Sequence, residues 1–121
     1  MTDEDQIRAV IRDYFDGLYF GDMKKFGGAF HPSCRLFAAN GDEIITFDYG
    51  PYMARCAGRA APVTMNAPRI DEIVSLTVSS ADTAHARVRD SFPPRTFINE
   101  LSFLKVAGRW QIVCKVWHAF D

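Results

Sequence analysis

Three polar side chains occur where the surrounding sequence predicts burial. Tyr14 lies in the apolar stripe of a predicted helix, Lys115 lies inside an apolar predicted strand, and Asn99 lies in the strand before it. A buried polar group costs stability unless it is paired. A phenol and an amide can donate hydrogen bonds to a carbonyl oxygen, and a lysine of lowered pKa can act as an amine. These residue types therefore suit a ligand that carries a carbonyl or an anionic group.

Each of the three residues also has a purely structural interpretation. Tyr14 could bond a backbone carbonyl or a neighbouring side chain, and Asn99 could bond Tyr14. Lys115 could pair with Glu100 or with another carboxylate across the sheet. For each of the three residues, the sequence is compatible both with contact to a ligand and with a hydrogen bond to a buried neighbour.

The histidines are a second group of titratable residues. His31 precedes Pro32 at a predicted helix end, where it can cap the last carbonyls or serve as a general acid or base. His85 and His118 lie on predicted strands and carry no assigned role. The spacing of the histidines matches no metal motif, and no nucleotide-binding or nucleophile-elbow motif is present. We therefore expect neither a metal nor a cofactor.

The composition is that of one soluble globular domain over residues 1–121. The chain is 48% hydrophobic and 24% charged, its formal net charge is −1, and its 14 basic residues form no run. Duplex nucleic acid is therefore not an expected partner. No apolar stretch approaches the roughly 20 residues of a membrane span, and the acidic N-terminus is not a secretory signal. Three distant cysteines indicate reduced thiols in a cytoplasmic protein: Cys34, Cys56 and Cys114.

The strongest periodic signal predicts an N-terminal helix. Apolar residues recur at helical spacing from Ile7 to Tyr19. Asp3 with Gln6 can form a capping box, and Gly21 suits the left-handed position after the helix end. Two shorter helices are predicted, between Asp22 and His31 and between Asp48 and Gly58.

Strand signals follow the helices. The predicted strands span residues 34–38, 43–47, 69–79, 84–92, 96–106 and 110–120. Asn40-Gly41 marks a tight hairpin between the first two, and residues 59–68 are predicted as a loop. Helices first and long antiparallel strands last make an α+β order rather than an alternating βαβ order.

The last predicted strand carries apolar residues on both of its faces. Trp110, Ile112 and Val116 share one side, and Val113 and Trp117 share the other. A half-solvated strand alternates cleanly, so we expect this one to be covered by helices on one face and by a partner subunit on the other. The sequence therefore predicts a homodimer through the outer face of the sheet, with either set in contact.

These elements resemble the nuclear transport factor 2-like superfamily. The likeness rests on Tyr14, the Gly21-Asp22 break, Phe30-His31-Pro32 and the pattern LxFxKxxGxWxIVxK of residues 101–115. The closing pattern is most similar to the branch labelled "putative lumazine-binding" and to the SnoaL-like branch. The resemblance implies a cystatin-like α+β fold, in which a curved antiparallel sheet forms a cone-shaped pocket closed by N-terminal helices. It does not fix a ligand, because one fold hosts many functions.

The resemblance also implies where the site lies. Tyr14 occupies the position of the oxyanion-stabilising tyrosine of steroid isomerases, and Asn99 corresponds to their second oxyanion partner. Ala38 stands where those enzymes carry a general-base aspartate. The catalytic candidates are Tyr14, His31 and Lys115. The expected ligand-binding residues are Tyr14, Leu18, Met53, Phe97, Asn99, Leu101, Lys115 and Trp117.

Three functions are compatible with these residues. The first is a non-catalytic module that binds a small apolar ligand, and the missing base at Ala38 favours it. The second is an isomerase, dehydratase or cyclase that acts on a hydrophobic carbonyl compound. In that enzyme Tyr14 and Asn99 polarise the oxygen, and His31 or Lys115 moves the proton. The third is a dimeric interaction scaffold whose pocket is filled by its own side chains.

Overall fold

The computed structural model describes residues 1–120, which form three α-helices and one six-stranded sheet. The helices are α1 (Asp3–Phe20), α2 (Met23–Gly28) and α3 (Tyr49–Ala57). The strands are β1 (Phe30–Asn40), β2 (Glu43–Asp48), β3 (Asp71–Val78), β4 (Thr83–Phe92), β5 (Arg95–Val106) and β6 (Arg109–Phe120). The predicted loop over residues 59–68 contains a short 3₁₀ turn, Pro62–Met65. The predicted domain of residues 1–121 extends one residue beyond the described part.

The sheet is curved and unclosed, with the strand order β2–β1–β6–β5–β4–β3. Neighbouring strands run antiparallel except β1 and β6, which pair in parallel. The predicted α+β class is confirmed. In the parallel pair, β1 lies beside the last strand of the chain, from which α3 and four other strands separate it in sequence.

The hydrophobic core lies between the helices and the concave face of the sheet. Ile7 and Ile11 of α1 and Phe26 of α2 meet Leu101 and Phe103 of β5 in one cluster. Burial of each such side chain contributes about 1.5–3 kcal/mol. This packing fixes α1 across the sheet and so fixes the position of every residue on its inner stripe.

The N-cap of α1 is Thr2, one residue before the predicted cap Asp3. Thr2 Oγ1 accepts a hydrogen bond from the Asp5 backbone N–H at 3.1 Å, and Asp5 Oδ2 accepts one from the Thr2 N–H at 3.1 Å. This is a capping box, so the prediction of a box between Asp3 and Gln6 was wrong. At the other end Gly21 adopts the predicted left-handed conformation, with φ of 70°.

The helices α1 and α2 approach each other at a glycine. A Cβ atom on Gly17 would lie 2.6 Å from the backbone N of Phe26. Asp22 Oδ1 caps α2 by accepting from the backbone N–H groups of Lys24 and Lys25, as predicted. The absence of a side chain at Gly17 therefore allows α2 to pack directly on α1.

The predicted end of α2 and the predicted capping of α3 were wrong in detail. The helix α2 ends at Gly28, so His31 and Pro32 belong to β1 instead of ending a helix. Pro32 lies in the stretch where the β1–β6 ladder is interrupted, and it has no N–H to donate there. Asp48 precedes α3 as predicted, but its carboxylate pairs with Arg35 at 3.1 Å and makes no cap hydrogen bond.

A β-bulge in β6 explains why apolar residues occur at both the even-numbered and the odd-numbered positions of that strand. Ile112 pairs with Phe103 and Cys114 pairs with Ser102, which leaves Val113 without a partner. Side chains before and after the bulge therefore follow opposite parities. Trp110 and Ile112 are 2% and 0% exposed, so the prediction that they contribute to a dimer interface was wrong.

Candidate functional site

A cavity of about 260 Å³ lies between the helices and the concave face of the sheet. Its apolar wall consists of Leu18, Ile45, Phe47, Phe92, Phe97, Trp117 and Ala119. Its polar groups are Tyr14, Tyr52, Arg55, Arg59, Asp90, Arg95 and Lys115. The cavity therefore combines aromatic walls with a small set of charged groups, which is the usual composition of a small-molecule site.

Lys115 is the buried cation of the cavity. Its Nζ donates to the hydroxyl of Tyr14 at 2.8 Å and to the hydroxyl of Tyr52 at 3.1 Å. Nζ also lies 5.1 to 5.8 Å from the ring centroids of Tyr14, Tyr52 and Trp117, within cation–π range. The bulge at Val113 places Lys115 on the concave face, because an unbulged strand would alternate it outward.

Burial changes the acidity of this lysine. Desolvation lowers the pKa of Lys115 to about 8, the nearby Asp90 and Cys56 raise it in part, and Arg59 lowers it further. The ion pairs among residues 1–120 do not include Lys115. Its hydrogen-bond partners are two neutral phenols, and a pKa of about 8 leaves about a tenth of the side chain as a free amine at pH 7.

Asp90 supplies a buried carboxylate on the same wall. It is 3% exposed, and its Oδ2 accepts a hydrogen bond from Asn99 Nδ2 at 3.1 Å. Burial raises the pKa of Asp90, whereas Lys115 and the hydrogen bonds from Asn99 and Tyr14 lower it in part. Asp90 and Asn99 meet because Val88 is the cross-strand partner of Asn99, which places Asp90 diagonally beside it.

The phenols connect the two charged groups. Burial raises the pKa of Tyr14 well above its ordinary value, and the charge of Asp90 raises it further. Burial likewise raises the pKa of Tyr52. Tyr14 therefore stays protonated, donates its O–H towards Asp90 and accepts from Lys115. The chain Asp90–Tyr14–Lys115 can pass a proton between a carboxylate and an amine without exposing a charge to water.

Three arginines give the cavity an excess of positive charge. With Lys115, the side chains of Arg55, Arg59 and Arg95 face one carboxylate, Asp90. The Arg59 guanidinium carbon lies 4.1 Å from the ring centroid of Phe92, and the Arg59 Nε is buried without a hydrogen-bond partner among residues 1–120. An unpartnered buried N–H is costly, so this donor suits an anionic ligand group.

The structure brings five predicted binding residues to the cavity wall: Tyr14, Leu18, Phe97, Lys115 and Trp117. They come from α1, β5 and β6, and they surround the buried amine. The alternative in which Lys115 pairs with Glu100 does not occur in the structure. Glu100 lies on the outer face of the sheet, where it pairs with His85 and Arg87.

Four further candidates lie outside the cavity wall. Asn99 is buried behind Asp90 and bonds that carboxylate instead of Tyr14. Leu101 is fully buried in the core, and Met53 is partly buried against it. His31 lies at the start of β1, where its Nδ1 accepts from the Ser33 backbone N–H at 3.0 Å. Their predicted roles stay predictions, without support from their positions.

Sequence reasoning missed Asp90, Tyr52 and the three arginines. The signal for Asp90 was present in the alternation of β4, where Ala84, Ala86 and Val88 face the core and Asp90 follows at the same parity. Tyr52 lies one helical turn before Cys56 on the buried side of α3. No periodic pattern marks the arginines, because they converge from different elements.

Several other features bear on the class of the site. Among residues 1–120, no group of three His, Cys, Asp or Glu side chains is placed to hold a metal ion. Cys34, Cys56 and Cys114 are unbridged. No helix within the described part is long and apolar enough to cross a membrane.

Comparison with known proteins extends over almost the whole chain. A family model described as "Putative lumazine-binding" matches residues 2–118. No curated protein matches the sequence.

Solved structures share the fold at low sequence identity. A nuclear transport factor 2-like protein of unknown function from Silicibacter pomeroyi is 22% identical, with 99% of this chain and 100% of that chain covered and a TM-score of 0.82. A ketosteroid isomerase-like protein from Erwinia carotovora atroseptica is 15% identical, with 100% and 99% covered and a TM-score of 0.76. A nuclear transport factor 2-like protein with a cystatin-like fold from Novosphingobium aromaticivorans is 18% identical, with 98% and 82% covered and a TM-score of 0.70. The predicted nuclear transport factor 2-like fold is thereby confirmed.

Proposed function

The chain belongs to the family described as "Putative lumazine-binding", and on that premise we propose that it binds a compact, anionic organic molecule in the cavity. The observation that carries the proposal is the convergence of four cationic side chains on one cavity that holds a single carboxylate. A carboxylate or similar anion would satisfy them, because charge-assisted hydrogen bonds to guanidinium groups are the stronger kind.

The walls set the size and shape of the ligand. The cavity volume of about 260 Å³ lies just below the usual range of about 300–1,000 Å³ for small-molecule sites. Phe47, Phe97 and Trp117 offer flat apolar surfaces on which a ring can stack. A molecule of one or two rings with an acidic group therefore fits better than a four-ring steroid.

Thermal unfolding with matched acids and esters tests this proposal. The panel contains benzoate, phenylacetate and benzoylformate, each with its methyl ester, and lumazine, because the family description names it. We expect the acids to raise the Tm and the esters to have little effect. Arg95→Gln removes one arginine from the cavity. We expect this variant to bind the acids roughly tenfold more weakly, which corresponds to about 1.4 kcal/mol of binding free energy.

Two variants control for nonspecific effects. Arg89→Gln removes an arginine on the outer face, which the cavity does not include, and it should bind the acids as the wild type does. Ala119→Trp adds a ring to the cavity wall and should abolish the Tm shift. If acids and esters act equally, or if Ala119→Trp responds as the wild type does, the proposal is wrong.

A second candidate function is catalysis on a carbonyl compound, as an isomerase, dehydratase or cyclase. Asp90 favours it, because this buried carboxylate supplies the proton acceptor that is absent at Ala38. Tyr14, which stays protonated, would polarise the carbonyl oxygen. Hydrogen–deuterium exchange at the carbon beside the carbonyl of phenylpyruvate, followed by NMR, tests this. Exchange must be accelerated by the wild type and lost in Asp90→Asn, and otherwise binding alone stands.

We also propose that two copies associate through the outer face of the sheet. Val116, Leu104 and Phe120 are 44%, 38% and 46% exposed there, on the two long strands β5 and β6. A second copy would cover this apolar surface. Light scattering at micromolar concentration should give twice the monomer mass for the wild type and the monomer mass for Val116→Asp. A monomeric wild type contradicts the proposal and the scaffold function with it.

A further inference from the structure

Lys115 is chemically distinct from the other lysines of the chain. Lys24 and Lys25 are exposed on α2, and Lys105 pairs with the carboxylate of Asp3 at 3.2 Å. Lys115 is 6% exposed, lines the cavity, and has no carboxylate partner. Its environment resembles that of amines that act as nucleophiles, which lie in apolar pockets and are not held as ion pairs.

We propose that Lys115 captures carbonyl compounds covalently, by forming an imine between its Nζ and the carbonyl carbon of a ligand in the cavity. This inference rests on the proposed binding of a small anion in the same cavity. The substrate class is an oxo acid, whose carboxylate suits the arginines and whose carbonyl suits the amine.

The hydrogen bonds of Nζ leave room for the reaction. The hydroxyls of Tyr14 and Tyr52 occupy two of the three positions around the nitrogen, at 2.8 and 3.1 Å. No third partner occurs among residues 1–120. The two phenols hold the nitrogen at the cavity wall, and the hydroxyl of Tyr52, unlike that of Tyr14, does not donate towards Asp90 and can donate to a carbonyl oxygen that approaches it.

Burial favours the neutral form of Nζ, and the groups that face it act in both directions, because Asp90 and Cys56 raise the pKa whereas Arg59 lowers it. Those that face it are Tyr14 from α1, Tyr52 and Cys56 from α3, Arg59 from the loop after α3, and Asp90 from β4. Burial is the largest influence, and it brings the pKa of Lys115 to about 8. An exposed lysine has a pKa of about 10.4, so at pH 7 the neutral fraction of Lys115 is roughly two hundredfold larger.

The step balances without an added reagent. The Nζ lone pair attacks the carbonyl carbon, and the π pair of the C=O bond moves to the oxygen. The oxygen takes one proton from the nitrogen and a second from solvent, through Tyr14 and Asp90, and leaves as water. The nitrogen lone pair then forms the C=N bond, so the neutral amine, a carbonyl compound and one proton give a protonated imine and water.

Reductive trapping tests the proposal. The protein is incubated at pH 7 with benzoylformate and sodium cyanoborohydride, which delivers hydride to the imine carbon. The adduct adds the mass of the oxo acid less one oxygen atom. Trypsin does not cleave after a modified lysine, so label at Lys115 appears in a peptide of residues 110–121. We expect Lys115 to be labelled at least about tenfold faster than Lys24 or Lys25.

Matched controls separate this inference from ligand binding. Mandelate has a hydroxyl where benzoylformate has the carbonyl, so it can occupy the cavity without forming an imine. Lys105→Arg should label at Lys115 like the wild type, whereas Ala119→Trp should not. The rate at Lys115 should rise with pH and level off above about pH 8.

Each outcome decides between the proposals. If mandelate and benzoylformate raise the Tm but Lys115 is not labelled, imine formation is wrong and binding stands. If neither acid raises the Tm and no label forms, both proposals fail. Equal labelling of Lys24, Lys25 and Lys115 also overturns the inference, because it indicates reaction with any amine. The labelled site is identified in the wild type, so the result does not depend on the folding of a Lys115 variant.

Discussion

Removing the hydroxyl of Tyr14 tests whether the buried polar groups stabilise the fold. In Tyr14→Phe, the Lys115 Nζ loses an acceptor at 2.8 Å and Asp90 loses the phenol that donates towards it. The ring remains, with its centroid 5.4 Å from that of Phe26 and 5.9 Å from that of Phe30. The measured change therefore reports the hydroxyl and not the packing.

The partners of Tyr14 set the expected magnitude. A hydrogen bond to a charged group contributes about 1.5–3 kcal/mol, and a bond between neutral groups about 1 kcal/mol. Lys115 keeps its bond to Tyr52 and Asp90 keeps its bond from Asn99, so neither group is left alone. We expect Tyr14→Phe to lower the free energy of unfolding by about 2–4 kcal/mol.

Tyr49→Phe is the matched control. Tyr49 donates one hydrogen bond, at 2.9 Å, to the backbone carbonyl of Gly27, so its loss should cost about 1 kcal/mol. Both variants are compared with the wild type by urea unfolding at pH 7, with equal m-values required. If Tyr14→Phe costs no more than Tyr49→Phe, the hydroxyl of Tyr14 does not bridge two charged groups and the described network is wrong.

Three further perturbations give distinct expected results. Because the pKa of Lys115 is about 8 when folded and about 10.4 when unfolded, the unfolded state binds more protons between these pH values. From pH 7 to 9.5, the free energy of unfolding of the wild type should therefore rise by about 2 kcal/mol more than that of Lys115→Met. If the two proteins show the same pH dependence, the pKa of Lys115 is not lowered in the folded state. Gly17→Ala should lower the free energy of unfolding by about 1–3 kcal/mol, because the added Cβ would meet the backbone of Phe26. Gly50→Ala is the control, because a Cβ at Gly50 would enter open space and should not destabilise the fold. Equal Tm values for the two variants would contradict the close packing at Gly17. Deletion of Val113, the unpaired residue of the bulge, should preserve both the fold and the labelling of Lys115. Deletion of Val116, which is paired, should turn the residues after it to the other face of the sheet. If deletion of Val113 abolishes the labelling of Lys115, the bulge is not at Val113.

Local signals were sufficient to predict the helices and most of the strands. The apolar spacing of α1, with a glycine at its end, specifies a long amphipathic helix regardless of what it packs against. Thr2 was missed as the cap because Asp3 is an equally good capping residue and lies beside it. The prediction therefore erred by one residue at the helix start, where neighbouring residues compete.

The site was predicted only in part, because its polar groups meet through tertiary packing. The sequence marks Tyr14 and Lys115 as buried polar groups, but it does not show that they are 2.8 Å apart. Asp90 precedes Ser91 and follows Arg89, so alternation with charged neighbours hides a buried carboxylate in a strand that is otherwise half polar. The bulge at Val113 is hidden as well, because an extra apolar residue in an apolar strand changes no local pattern.

The bulge in β6 also determines how relatives of this protein should be aligned. A relative whose last strand is regular has one residue fewer between the partners of Phe103 and Ser102, so its alignment with this chain requires a gap at Val113. An ungapped alignment that matches Trp110 and Ile112 correctly would place Lys115 and Trp117 against outward-facing residues. Conservation of the buried amine would then be underestimated across the family. Alignments of the last strand should therefore be anchored separately on the two sides of Val113.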